Sequence, residues 1–323
     1  VIGSSTKLAA TWFAPKERIT AISLYVVGQS LGIALGLVFP ALYFTSSMDK
    51  DTFKSTMEIF LGVQAAMAAT QLMLNVLIYR EKPSFPPGPE PSSEVAEDKP
   101  TFWEAFPLIV KNWGFMAINC QFFLLQSTQN ALSVVLGEIS VVYGFTATDG
   151  SLIGCCCILG GVIGSVVYGK ILQRTGAYKT LIMIIAGMAC VVFVLIRVLI
   201  TLGSLPLLST LAFALGFNLV AIAPILYDLG VEQLYPLGES YSPTFLSMFD
   251  SAGSLLLTEY CSWLLDKADF LKTGSTKGGD QILMILPAMA LIATLLSFTY
   301  SVELKRQEAI KKSQVETKID VEF

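Results

Sequence analysis

The sequence predicts an all-α protein that crosses a membrane many times. Three observations carry this. Of 323 residues, 54% are hydrophobic and only 14% charged, where an ordinary soluble domain has about 25% charged. The mean hydropathy is +0.65. Apolar stretches of about 20 residues, long enough to span a bilayer as a helix, recur along the whole chain. In hydrocarbon every backbone N–H and C=O must be bonded within its own segment, so such stretches form helices.

The elements follow in order. The chain opens at Val1 inside an apolar stretch, and 1–13 reads as the second half of a span, which predicts an N-terminal truncation. The span 19–44 carries Gly28, Gly32 and Gly36, a spacing that lets a neighbouring backbone approach closely. Pro40 then ends or kinks it. A further span runs over 57–79. The segment 80–107 differs: Pro83, Pro86, Pro87, Pro89, Pro91 and Pro100 alternate with Glu90, Glu94, Glu97 and Asp98, the composition of a flexible aqueous linker. Six spans follow, over 112–136, 151–172, 180–200, 206–227, 241–265 and 281–300. Residues 304–323 read as a charged tail.

The positive charges orient these spans. With the linker in the cytoplasm, fourteen Lys and Arg lie inside. Only Lys50, Lys54, Arg197, Lys267, Lys272 and Lys277 lie outside. Basic residues concentrate on the cytoplasmic side of membrane proteins, which supports this orientation.

Composition also excludes functions. There is no histidine, so histidine proton relays, Ser-His-Asp triads and zinc motifs of the His-Glu-x-x-His kind are absent. The cysteines at 120, 155, 156, 157, 190 and 261 form no Cys-x-x-Cys pair and read as small apolar residues. A net charge of −4 gives no basic surplus for nucleic acid. No phosphate-binding Gly-x-x-x-x-Gly-Lys-Ser/Thr loop is present, which argues against an ATP-driven pump. No nucleophile–base pair points to an enzyme, and no cofactor or metal is expected.

Polar residues in mid-span are the candidate binding residues. An aspartate at the bilayer centre costs roughly 2.5–3.5 kcal/mol on insertion scales, so it faces a cavity or a partner. Asp250 lies about ten residues into its span, with Ser247, Ser251, Gly253 and Ser254 around it. Gln29, Gln126, Gln129, Asn130 and Asn218 occupy similar depths. Hydrogen bonds from Ser247 or Ser251 are the purely structural alternative for Asp250. Tyr25, Phe122 and Phe123 are candidate walls for a cation, each worth about 0.5–2 kcal/mol over a ring face.

Two loop motifs bear on gating. Gly169, Arg174, Gly176 and Lys179 join two spans on the cytoplasmic side, where glycines permit a tight turn and an arginine caps helix ends or pairs with an acid. The pattern resembles the cytoplasmic loop of the major facilitator superfamily, with Gln173 where that loop carries an acid. A loose repeat strengthens the likeness. Trp12, Pro15, Glu17 and Arg18 precede one small-residue-rich span, and Tyr235, Pro236 and Glu239 precede another, after Glu232.

These patches, with Asn130-Ala131-Leu132-Ser133 and Gly28-Gln29-Ser30-Leu31-Gly32, resemble the feline leukaemia virus subgroup C receptor family of that superfamily. The resemblance implies a twelve-helix transporter fold. Residues 1–79 would be the remainder of the N-terminal half, 80–107 the cytoplasmic linker, and 108–303 the six-helix C-terminal half. The mid-span residues above, with Ser251, would then line the central cavity. It implies secondary transport of a small organic solute, a choline- or ethanolamine-like cation, with a coupling proton or ion. The family's haem and vitamin cargoes, or a non-transporting receptor, are the alternatives. The membrane implied is the plasma or endolysosomal membrane.

Overall fold

The computed structural model describes residues 8, 12–13, 25, 28–29, 31–36, 39, 43–44, 48–78, 102–235, 237, 241–268 and 276–301. The expectations for Glu17, Arg18 and Glu239, for the linker before residue 102, and for the charged tail lie outside these residues.

The described regular elements are helices. They are α1 (Lys50–Ile78), α2 (Phe102–Lys111), α3 (Trp113–Val142), α4 (Ala147–Thr175), α5 (Tyr178–Leu199), α6 (Leu205–Leu234), α7 (Tyr241–Ala268) and α8 (Lys277–Leu296). A single 3-10 turn, Ile200–Leu202, extends α5. Helices α1, α4, α5, α6 and α8 are long and apolar enough to cross a membrane, and α2 with α3 forms a sixth candidate span broken by an 89° bend. Helix α7 is equally long, at 28 residues. It is less apolar because Ser247, Asp250, Ser251, Ser254 and Glu259 interrupt it. The span 19–44 is described only in part, and its described residues from Tyr25 to Phe39 are helical.

Helices α3 to α8 share one apolar core that includes Phe115, Phe122, Ile182, Leu226, Phe245 and Leu286. Helix α1 buries none of its residues. Two pairings dominate the bundle. Helices α4 and α6 meet backbone to backbone: a Cβ at Gly160 would strike the carbonyl of Phe213, one at Gly164 that of Phe217, and one at Gly216 that of Cys157. Small residues allow this approach, and packing rather than hydrophobicity holds helices together in lipid. By contrast, no described atom lies within 4 Å of a Cβ at Gly28, Gly32 or Gly36. The second pairing, α3 on α7, carries the candidate site.

Local signals fix the helix ends. The Thr146 hydroxyl accepts from Asp149 N at 3.1 Å while Asp149 Oδ2 accepts from Thr146 N at 2.9 Å, a reciprocal cap that starts α4. Gly176 ends α4 in the left-handed region, at φ 63°. The turn the sequence places in this loop is therefore made by Gly176. Gly169 lies inside α4 with open space around it.

Helix α2 departs from the expected linker, which ran to residue 107. Its Ala105 and Ile109 are four apart, share a helix face, and are fully buried. The Phe106 ring packs tilted against Phe245 of α7, centroids 5.6 Å apart. Trp103, on the opposite side, is 80% exposed. The prolines upstream carry the linker composition, and this short apolar pattern overrides it.

Candidate functional site

On α3, Phe123, Gln126, Ser127 and Asn130 recur at three- and four-residue spacing and so share a face. On α7, Ser247, Asp250 and Ser254 do the same. Gly253 brings the two faces together. A Cβ there would collide with the Phe123 ring and the Ser127 hydroxyl. With only hydrogen in that place, the α3 side chains reach the α7 carboxylate.

Asp250 is half-buried at this junction. Asn130 Nδ2 donates toward both of its oxygens, at 3.2 and 3.1 Å. The Ser254 hydroxyl donates to Oδ1 at 3.1 Å and accepts from Asn130 Nδ2 at 3.1 Å, closing a triangle. Ser127 Oγ stands 3.5 Å from Oδ1 and 3.3 Å from the Asp250 backbone oxygen, too long to hold the carboxylate strongly. All these partners are neutral. The described ion pair, Arg197–Asp280 at 3.0 Å, lies elsewhere.

Two further groups sit nearby on the same helices. Gln126, one turn before Asn130, has its side-chain oxygen shut from water with no hydrogen-bond partner among the described residues. Ser247 Oγ donates to the Pro243 carbonyl at 2.7 Å, so the Tyr227 hydroxyl at 3.2 Å donates to Ser247. The Tyr227 ring packs at 4.9 Å on fully buried Phe122. Phe122 is thus committed to the core, and Phe123, against Gly253, is the aromatic at the junction.

The other candidates read from the sequence distribute differently in space. Ser251 is exposed, and its hydroxyl donates to the Ser247 carbonyl at 2.8 Å. Asn218 is buried between α6 and α4: its amide donates to Ala214 O at 2.7 Å, and Tyr168 donates to its oxygen at 2.9 Å. Gln129 faces α4, with Nε2 3.9 Å from Cys157 Sγ. Neighbouring helix residues point about 100° apart, so Gln129 and Asn130 serve different surroundings. Gln29 is exposed. Arg174 is exposed at the end of α4, and Glu232 is fully buried near the end of α6.

Sequence reasoning missed Ser127 and two polar networks that tie the bundle ends. At the end predicted to face outward, Asp280 Oδ1 accepts from Tyr143 at 2.7 Å and Oδ2 from Thr276 at 3.1 Å, beside Arg197. Burial first, and then the Asp280 carboxylate, hold the Tyr143 phenol above its ordinary range. Toward the other end, Gln121 donates to Ala293 O at 2.9 Å and to Ser297 Oγ at 2.7 Å, and accepts from Tyr300 at 2.7 Å. Gln121 was legible as a polar residue in an apolar run.

A family model for the Major Facilitator Superfamily matches residues 1–258. The chain belongs to the major facilitator superfamily. Among curated relatives, it is 26% identical over 325 residues to the choline/ethanolamine transporter FLVCR2 of Homo sapiens, covering 100% of this chain and 60% of that protein. It is 24% identical to the transporter of the same name from Rattus norvegicus, covering 99% of this chain and 57% of that one. It is 22% identical to the choline/ethanolamine transporter FLVCR1 of Felis catus, covering 92% and 52%. The chain thus spans between about half and three-fifths of these relatives. All three are named as transporters, not as enzymes. Helices α3 to α8 are a bundle of six, and the Asp250 junction lies on two of them.

Proposed function

We propose that the protein is a secondary carrier for a small organic cation of the choline or ethanolamine kind. The observation that carries this is the Asp250 carboxylate, placed mid-helix and held, among the described residues, only by neutral donors. A carboxylate in a membrane is retained where something offsets it. Asn130 and Ser254 orient it without cancelling its charge, so the net negative charge remains for a ligand. The buried, unpartnered oxygen of Gln126 one turn away suits a hydroxyl or ammonium N–H. A cationic head on Asp250 and a donor on Gln126 describe a short amino alcohol, and the names of the relatives support the same class.

The mechanism would be alternating access, with two helical halves rocking around a midplane site. A coupling proton or ion would bind the same carboxylate. Gly169, Arg174, Gly176 and Glu232, with Glu17, Arg18 and Glu239, would form the cytoplasmic gate. The carrier would work in the plasma or an endolysosomal membrane.

The test is uptake of labelled choline into cells producing the protein, with Asp250→Asn alongside and surface amounts matched. Saturable uptake that the variant loses is the expected result. Uptake unchanged in Asp250→Asn, or none by either protein at the membrane, sinks the reading.

A further inference from the structure

A cavity lies inside the bundle, and Asp250 is not part of its lining. It is walled by α3, α4, α5, α6 and α8, and α7 contributes nothing to it. Its lining runs along α3 from Gln129 to Ser140 and reaches Phe145, about three turns or roughly 16 Å. The walls are almost wholly apolar: Leu132, Leu136, Ile153, Phe193, Leu215 and Leu283 are typical.

One polar feature stands out at its inner end. Gln129 is 6% exposed, lines the cavity, and has a side-chain oxygen with no hydrogen-bond partner among the described residues. The two lining serines have their protons engaged within α3, and the Cys157 sulfur faces the Gln129 Nε2 at 3.9 Å. Ser133 donates to Gln129 O at 2.9 Å, and Ser140 to Leu136 O at 2.7 Å. The lining therefore offers an unmet acceptor in Gln129, and it contains no charged side chain. A buried acceptor without a donor is costly, and it is relieved by a ligand that brings one. A charged ligand would find no counter-charge here, so the complementary molecule is neutral. Water in such a slot would lack the two to four partners it ordinarily takes.

We propose that this cavity binds a neutral, lipid-soluble alcohol, its hydroxyl donating to Gln129 Oε1 and its hydrocarbon lying along α3 toward Phe145. This site is separate from the one assigned to the cationic cargo, and it stands whether or not that assignment does.

The probe is a diazirine-bearing octanol, photolysed on the purified protein in detergent, with the labelled residues mapped by mass spectrometry. Label is expected on lining residues of α3, α4 and α6, displaced by excess octanol but not by dibutyl ether, which cannot donate. Gln129→Leu, similar in volume and apolar, should reduce labelling roughly fivefold, the weight of one neutral hydrogen bond. Ala212→Trp, which fills the slot, should abolish it. Absent label, label scattered over lipid-facing residues, equal competition by the ether, or undiminished labelling of Gln129→Leu would each overturn the proposal. Should Ala212→Trp not fold, Gln129→Leu and the ether still decide.

Discussion

The side-chain amide of Asn130 spans the Asp250 carboxylate, 3.2 Å from one oxygen and 3.1 Å from the other. One side chain on α3 thus sets the position of a charge on α7. Asn130→Ala removes that hold while leaving the Ser254 donor in place. A hydrogen bond to a charged group is worth about 1.5–3 kcal/mol, so choline uptake by the variant should show a KM raised roughly tenfold or more. An unchanged KM would mean that Asn130 does not position the carboxylate for cargo.

Gly253→Ala tests the close approach that creates the junction. The added methyl meets the Phe123 ring and the Ser127 hydroxyl. Overpacking of this kind costs about 1–3 kcal/mol. Thermal unfolding in detergent, followed by dye reaction of buried Cys157 and Cys261, should shift to lower temperature. Ser127→Gly in the same background should recover only part of the loss, because Phe123 remains.

The α4–α6 contact should be less forgiving. Gly160→Ala and Gly216→Ala place a methyl against a backbone carbonyl, which cannot rotate away as a side chain can. Both should destabilise more than Gly253→Ala in the same thermal assay. Gly169→Ala is the control: it lies in the same helix with open space around it. Replacing glycine inside a helix should stabilise by about 0.5–1 kcal/mol. Equal effects at all of these positions would contradict the described packing.

Gly176 holds φ 63°, so Gly176→Ala should cost about 1 kcal/mol and Gly176→Asn distinctly less. The comparison of the two variants, by thermal midpoint, isolates backbone strain from any effect on the loop's charge.

The Arg197–Asp280 pair calls for a smaller number. Its side chains are 33% and 30% exposed, so solvent screens the attraction. Asp280→Asn should cost no more than about 1 kcal/mol at low salt, and the difference from the parent protein should shrink in molar salt. A loss insensitive to salt would assign the stability to the Tyr143 and Thr276 hydrogen bonds instead.

The helices were legible because lipid imposes one rule: long apolar segments must close their own hydrogen bonds. Asp250 was legible for the same reason, as a charge where a charge is expensive. Its partners were not. Asn130 and Gln129 are adjacent and equally polar, and only the packing of α3 decides that one faces α7 and the other α4. Asn218 looked like a cavity residue, and the structure gives it Tyr168 as a partner. Ser251 and Ser254 both follow the same carboxylate in sequence, yet the helical turn brings Ser254 to it. Helix α2 was hidden by the prolines that precede it.

Asn112 bears on the site from the far end of α3. Its Oδ1 caps α3 by accepting from Phe115 N at 3.1 Å, and its Nδ2 donates to the Gln233 carbonyl on α6 at 3.0 Å. That pins the foot of α3 to the end of α6. From this pivot to Asn130 is eighteen residues along one helix, a lever arm of roughly 27 Å. A tilt of α3 against α7 by about 2° would sweep Asn130 through about 1 Å, enough to stretch its bonds to Asp250 past a normal length. The grip on the carboxylate therefore reads out the angle of a helix whose fulcrum lies at the other end.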